Sequence, residues 1–478
     1  MHLIKKLNVL SVLVFFLAFT CTSNHKVKKS PDSGNVSIDL DSIRNRGKLI
    51  AVTDFNSTNY FIYNGEPMGF NYELLKSFSD HIGIDVEIVT NSNPSNACAL
   101  LESGEADLVA MGLDTASFED DEVLLTETID ETRLVLVQRK AGVGSKIGPN
   151  GTLVRDPLEF AGKTIYVQGG TSVGRRLEAL QSMIGDSINV IEVPYEPEQL
   201  IGHVADGEID FTVCGENIAL VNSTYYPGID VQTVVSNRVN LAWGVRKNNS
   251  EDLLRELNRW LVSFKQTASY STIYAKYFKN HKSSSIVKSD YYAISTGRVS
   301  QYDEIIRKYS ALINWDWRLL ASLIFQESRF QPNVISTAGA YGLMQIMPVT
   351  GKNFGVDIKL SPENNLKAGI LYINWLHSIF DSKIPDKKER MCFILAAYNA
   401  GPGHVLDAMK LAEKNGMDPL KWDGSVALWL TKKSEPQYYK DEVVRNGYFR
   451  GNQSVAFVSE VMARFEHYKN MIPAGRLK

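Results

Sequence analysis

The spacing of hydrophobic positions changes once along this chain, across "NHKSSSIVKSD" (280–290), and the change divides it in two. Before that point, short apolar runs of strand length alternate with segments of helical period. "KLIAVT" (48–53) and "DVEIVT" (85–90) predict strands, and "NYELLKSFSDHIG" (71–83) between them predicts an amphipathic helix. "SNACALLESGEADLVAMG" (95–112) reads as helix, glycine turn and buried strand. The same grammar restarts at "GKTIYVQGG" (162–170), runs through a helix at 173–182, and reaches "EQLIGHVADGEIDFTVCG" (198–215). The units around "SGEADLV" and "DGEIDFT" echo one another, which predicts two similar α/β lobes with a ligand crevice at the strand carboxyl ends. From about residue 298 the strand pattern disappears. "SQYDEIIRKYSALI", "DWRLLASLIFQES", "NLKAGILYINWLHSIF", "ERMCFILAAYNAG", "GHVLDAMKLAEKNG" and "SVAFVSEVMARFEHYKNMI" all carry helical period, so this part is expected to be all-α.

One position breaks the helical pattern. Glu327, in "IFQESRFQP", falls on the face that also carries Leu320, Leu323 and Ile324. A carboxylate on an apolar face costs free energy unless it is paired, hydrogen-bonded or kept protonated. Two readings are open. In one, Arg318, Arg329 or backbone amides satisfy the charge and Glu327 is structural. In the other, apolar surroundings raise its pKa and it serves as a general acid that protonates a leaving sugar oxygen. No second carboxylate sits at an obvious partner position, so hydrolysis by two carboxylates is not signalled.

Composition narrows the class. A chain of 478 residues with 44% hydrophobic and 22% charged residues is a folded protein of two or three domains. Its net charge of −3 offers no basic excess to displace counterions from nucleic acid, which is not expected as a partner. Lys5 and Lys6 precede "LNVLSVLVFFLAFT", too short for a comfortable membrane span and placed like a signal-peptide core. It ends at Cys21, which resembles the cleavage site of a bacterial lipoprotein, where the cysteine becomes the lipidated first residue. Residues 22–40 are polar, as a tether would be. The expected organisation is therefore signal peptide 1–21, tether 22–40, α/β domain 41–280, linker 281–297 and helical domain 298–478. Cys98, Cys214 and Cys392 are widely spaced and read as buried free thiols; no metal or cofactor is expected.

The α/β segment is similar to a known family. "RGKLIAV", "GEPMGFNYELLKSFSDHIG", "LLESGEADLV", "GKTIYVQGGTSVGRRLE" and "VADGEIDFTV", in order over 44–279, resemble periplasmic solute-binding proteins of the amino-acid-binding type. The resemblance implies a two-lobed binding domain, here for a muropeptide or other small ligand. Phe118 and Glu119 stand where that family usually places a carboxylate-clamping arginine, and Gly215-Glu216 where an amine-binding aspartate is usual. Thr171 and Ser172 in "GGTSVG" remain as anion donors, or as the ordinary cap of a helix, and Glu216 as the acidic group of such a site.

The helical segment resembles another. "ESRFQPNVISTAGAYGLMQIMPVT" (327–350) followed by "AAYNAGPG" (396–403) is similar to lytic transglycosylases with a lysozyme-like fold, and the fusion resembles the membrane-bound lytic murein transglycosylase F type. Taken singly, "YGLMQIMP" is also a glycine-started helical turn and "AAYNAG" a helix ending at Gly401. The resemblance implies that Glu327 is the single acid/base acting on the bond between N-acetylmuramic acid and N-acetylglucosamine. The sugar's 6-hydroxyl would close a 1,6-anhydro ring, and the substrate's N-acetyl group would replace a protein nucleophile. Ser328 and Gln345 would position groups around the sugar, Met344 would line the cleft, and Tyr398 and Asn399 would hold the N-acetyl group and the carboxylate. Phe457 stands where other branches carry a late-helix tyrosine, with Tyr438, Tyr439 or Tyr448 as substitutes. The implied partner is the peptidoglycan glycan strand, and the implied location is the periplasmic side of the outer membrane, anchored through Cys21. Two alternatives remain: a receptor whose helical domain only grips glycan, and a muramidase that uses water.

Overall fold

The echo in the sequence corresponds to two sheets of matching topology. The computed structural model describes residues 39–140 except 117, 119 and 121, then 153–279, 289 and 297–472. The expected signal peptide, Cys21, nearly all of the tether, Glu119 and most of the linker lie outside the described residues. Thirteen strands are described: β1 Lys48–Thr53, β2 Phe61–Tyr63, β3 Glu66–Met68, β4 Asp85–Thr90, β5 Leu108–Asp114, β6 Val123–Leu125, β7 Asp130–Thr132, β8 Leu134–Arg139, β9 Thr164–Gln168, β10 Asn189–Val193, β11 Phe211–Gly215, β12 Ile229–Val234 and β13 Val239–Arg246. The first lobe has the order β4-β1-β5-β13-β6, with β7 also on β13; the second has β10-β9-β11-β8-β12. "SGEADLV" feeds β5 and "DGEIDFT" feeds β11. Each of these strands runs parallel to one neighbour (β1 or β9) and antiparallel to the other (β13 or β8). The chain crosses between lobes at β7–β8 and again at β12–β13.

The lobes carry helices α1 Leu40–Arg46, α2 Phe70–Ile82, α3 Pro94–Ser103, α4 Ser172–Ile184, α5 Pro197–Asp206, α6 Glu216–Ser223, α7 Glu251–Phe264 and α8 Ala268–Tyr274. The helical part contains α9 Asp303–Ala311, α10 Trp317–Ser328, α11 Pro348–Asn353, α12 Pro362–Phe380, α13 Lys387–Ala400, α14 Pro402–Lys414, α15 Ala427–Lys432, α16 Pro436–Tyr439 and α17 Gly451–Met471. Glycines in the left-handed conformation end α1 to α5, as that position requires. Cys98, Cys214 and Cys392 are buried free thiols.

The two parts share one apolar core. A continuous buried cluster runs from Leu49, Phe61 and Phe78 of the first lobe into Phe325, Phe330 and Tyr468 of the helical part, while the second lobe has separate cores. Helix α17 closes the seam. Tyr468 donates a hydrogen bond to Gly65 O at 2.8 Å, Asn470 donates to Ile88 O, and the Tyr60 hydroxyl meets Nδ1 of His467. Burial lowers the His467 pKa to about 3, so this contact stays neutral. Gly65, at φ 81°, sits at the tip of the β2–β3 hairpin. A Cβ there would lie 2.7 Å from the Tyr468 hydroxyl, 2.8 Å from Phe325 and 2.9 Å from Phe330. Only glycine lets the hairpin seat this deeply.

Candidate active site and ligand cleft

Helix α10 starts where Asp316 accepts a hydrogen bond from the Arg318 amide, and it then buries every side chain from Trp317 to Phe325. The helix stops abruptly. Arg329 and Phe330 both adopt left-handed backbone (φ 49° and 61°), a strained reversal for side chains of this size. Phe330 is held in the shared core, its ring 5.7 Å from Phe325 and edge-on to it. Glu327 therefore emerges on the last turn of a buried helix. Its carboxyl group has no hydrogen bond or ion pair among the described residues.

The arginines that the structural reading needed point elsewhere. Arg318 donates to both carboxylate oxygens of Asp316 and to Ile472 O. Arg329 faces Glu66 at 3.7 Å and lies over the Phe325 ring. Burial alone raises the Glu327 pKa, to about 8. No charged neighbour contributes to that shift, and among the described residues Glu327 has no carboxylate partner.

Tyr398, near the end of α13, donates its hydroxyl to Met344 O at 2.7 Å. Burial first, and then the nearby Glu327 carboxylate, hold its phenol well above its usual pKa of 10, so it remains a neutral donor. The loop carrying Met344 is clamped by Asn365 of α12, which accepts from the Met344 amide at 2.8 Å and donates to Tyr341 O at 2.7 Å. Gln345 (φ 45°) donates to Gly342 O and Val334 O, tying the loop to itself.

Two expected roles change. The Met344 side chain is fully buried against Gly369 instead of lining a cleft, and its carbonyl is the acceptor of the Tyr398 hydroxyl. The Ser328 hydroxyl is also buried, 2.8 Å from Leu343 O and 3.1 Å from Ile324 O, and fastens the helix end to the same loop. Asn399 has an exposed side chain whose Oδ1 accepts from Ser454 of α17 at 2.6 Å. Phe457 on that helix is core. Tyr438 packs edge-on against Trp429, and Tyr439 packs edge-on against the exposed Tyr448. Asn365 and Ser454 escaped the sequence reading. Their signal, a polar residue on the buried face of a helix, becomes visible only once the packing is known.

In the α/β part, Thr171, Ser172 and Glu216 do not converge. Thr171 donates to Gln168 O, Ser172 donates to Asp114 at 3.0 Å, and Glu216 pairs with Arg133 at 2.6 Å. Asp114 of the first lobe also accepts from Arg176 at 2.9 Å, so the amino end of α4 is already occupied by the chain's own carboxylate. The lobes meet again where the Ser57 amide donates to Glu198 at 2.8 Å and Gln168 donates to Ser92 O at 2.7 Å. Burial pushes Glu198 up to about 7, and Glu196, which also feels Asp54 and Glu198, up to about 9. A separate cavity of about 480 Å³ lies between the lobes, lined by Thr58, Asn59, Phe70, Asn71, Trp243 and Asn217 among others.

Both halves match known families. Residues 49–280 match bacterial extracellular solute-binding proteins, family 3, and residues 304–420 match the Transglycosylase SLT domain. The fold and site thus define a solute-binding domain joined to a lytic transglycosylase domain. Among similar proteins, the membrane-bound lytic murein transglycosylase F of Desulfosudis oleivorans is 34% identical over 432 residues, covering 90% of this chain and 92% of the relative. That of Stutzerimonas stutzeri is 29% identical, covering 90% and 86%, and that of Idiomarina loihiensis 26%, covering 92% and 93%. The chain belongs to the membrane-bound lytic murein transglycosylase F family.

Proposed function

We propose that this chain cleaves the β-1,4 bond between N-acetylmuramic acid and N-acetylglucosamine in peptidoglycan without water, with Glu327 as its one acid/base. The observation that carries this reading is the isolated, desolvated carboxyl of Glu327 beside a neutral Tyr398. A pKa of about 8 keeps the group protonated at neutral pH, ready to donate to the glycosidic oxygen. The glycosidic bond breaks as its oxygen takes that proton and the leaving sugar departs, while the substrate's own N-acetyl oxygen bonds to the anomeric carbon. Once ionised, Glu327 is a base of matching strength, stronger than an ordinary carboxylate. The 6-hydroxyl, giving its proton to the ionised Glu327, then displaces the N-acetyl oxygen and closes the ring. A hydrolase of the usual kind needs a second carboxylate, and no charged neighbour acts on Glu327. Tyr398, Met344 O and Asn399 would orient the substrate, since an intramolecular attack gains most from alignment. Ser328 and Gln345 would act through the loop they hold.

The domain boundaries 41–280 and 298–478, export by residues 1–21, and outer-membrane anchoring through lipidated Cys21 belong to the same proposal. So does a regulatory role for the two-lobed domain. The β2–β3 hairpin supports that role: residues 58, 59, 70 and 71 on either side of it line the inter-lobe cavity, while its tip packs on Phe325 and Phe330 beside Glu327.

Three outcomes are expected. Sacculi digested with the enzyme release fragments with 1,6-anhydro ends, read by mass spectrometry, and Glu327→Gln lowers that rate by about 10²–10⁴; reducing ends would identify a hydrolase, and no products a binding protein. Cys21→Ser moves the protein from the membrane to the soluble fraction; unchanged fractionation would rule out the anchor. If the domains are coupled, a wall-derived peptide and glycan strands raise each other's affinity for Glu327→Gln by one common factor in calorimetry. Peptide affinity indifferent to glycan would exclude the coupling.

A further inference from the structure

The Tyr398 ring is the first of a run. It lies 5.3 Å from the ring of Tyr372, and Tyr372 is stacked on Trp375 at 5.6 Å with 19° between the planes. Tyr372 and Trp375 are three residues apart on α12, so they share one face, with Trp375 a turn further from Tyr398. Exposure rises along the run: Tyr372 is half-buried and Trp375 is 44% exposed. Among the described residues, neither the Tyr372 hydroxyl nor the Trp375 indole N–H has a hydrogen-bond partner.

A single exposed aromatic residue is ordinary. This pair differs in two respects. It is continuous with the residue beside the acid, and each ring keeps an unused polar handle at its edge. Flat apolar faces with donors at the rim suit a ligand that is apolar on its faces and hydroxylated around its edge. A pyranose ring has that form, and a substrate that is a polymer of such rings must extend past the bond being cut.

We propose that Tyr372 and Trp375 form a shelf that stacks a sugar ring of the glycan strand beyond the cleaved linkage. This rests on the reading of Glu327 as the acid that cuts that strand. The sugar's C–H face lies on the outer face of the indole, which Tyr372 backs, and sugar hydroxyls accept from the two free donors. The shelf supplies binding along the strand and takes no part in proton transfer.

The test uses the full-length Glu327→Gln protein and amidase-stripped glycan strands, which carry no peptide. Adding Trp375→Ala weakens strand binding about tenfold, the effect expected for a tryptophan anchor, and Trp375→Phe recovers most of the loss because it keeps a stacking ring. Because the indole is on the surface, thermal melts of all variants should coincide. Equal strand affinity with and without Trp375→Ala overturns the shelf, as does a loss seen only with peptide-bearing strands. Anhydro products from Glu327→Gln itself would instead overturn the reading beneath it, so the two failures are distinct.

Discussion

For the acid role proposed above, Glu327 has to be shielded from water without being paired. A partner would return its pKa to the usual carboxylate range or below, and open water would do the same. Several otherwise separate features meet this one constraint. Arg318 is held by Asp316 and Ile472 O, and Arg329 is turned toward Glu66. The apolar face of α10 is fully buried beneath the carboxyl. The strained reversal at Arg329 and Phe330 ends the helix at the acid, and seating Phe330 in the shared core offsets that strain.

The same core explains why the solute-binding part is more than an appendage. Its first lobe supplies the hairpin whose tip packs on Phe325 and Phe330, and α17 supplies Tyr468 to lock that tip. The second lobe touches its partner lobe through charges and amides that the chain itself provides, among them Asp114 with Arg176 and Glu198 with Ser57. A ligand entering the crevice would compete with those pairs.

Much of this was legible in the sequence, for identifiable reasons. Period and echo gave two lobes and a helical part because the repeating units occupy equivalent strands, β5 and β11. Glu327 stood out because helical spacing placed a charge among leucines. The roles of Met344 and Ser328 were not legible, since whether a side chain or a carbonyl faces a site depends on loop conformation, and here the left-handed Gln345 and the clamp from Asn365 set it. Nor could spacing show that Ser172 is already engaged by Asp114, 58 residues away. The seam between Tyr60 and His467 spans 407 positions, and no local pattern reports such a contact.

The proposed chemistry depends on the protonation of one carboxyl group. With glutamate labelled at the side-chain carboxyl carbon, an NMR titration of the wild type against Glu327→Gln assigns the resonance and gives its midpoint directly. The burial described here predicts a midpoint of about 8, with the group protonated below that pH and ionised above it. A midpoint near the ordinary glutamate value of 4.5 would contradict it, because Glu327 would then carry a charge at neutral pH and have no proton to give.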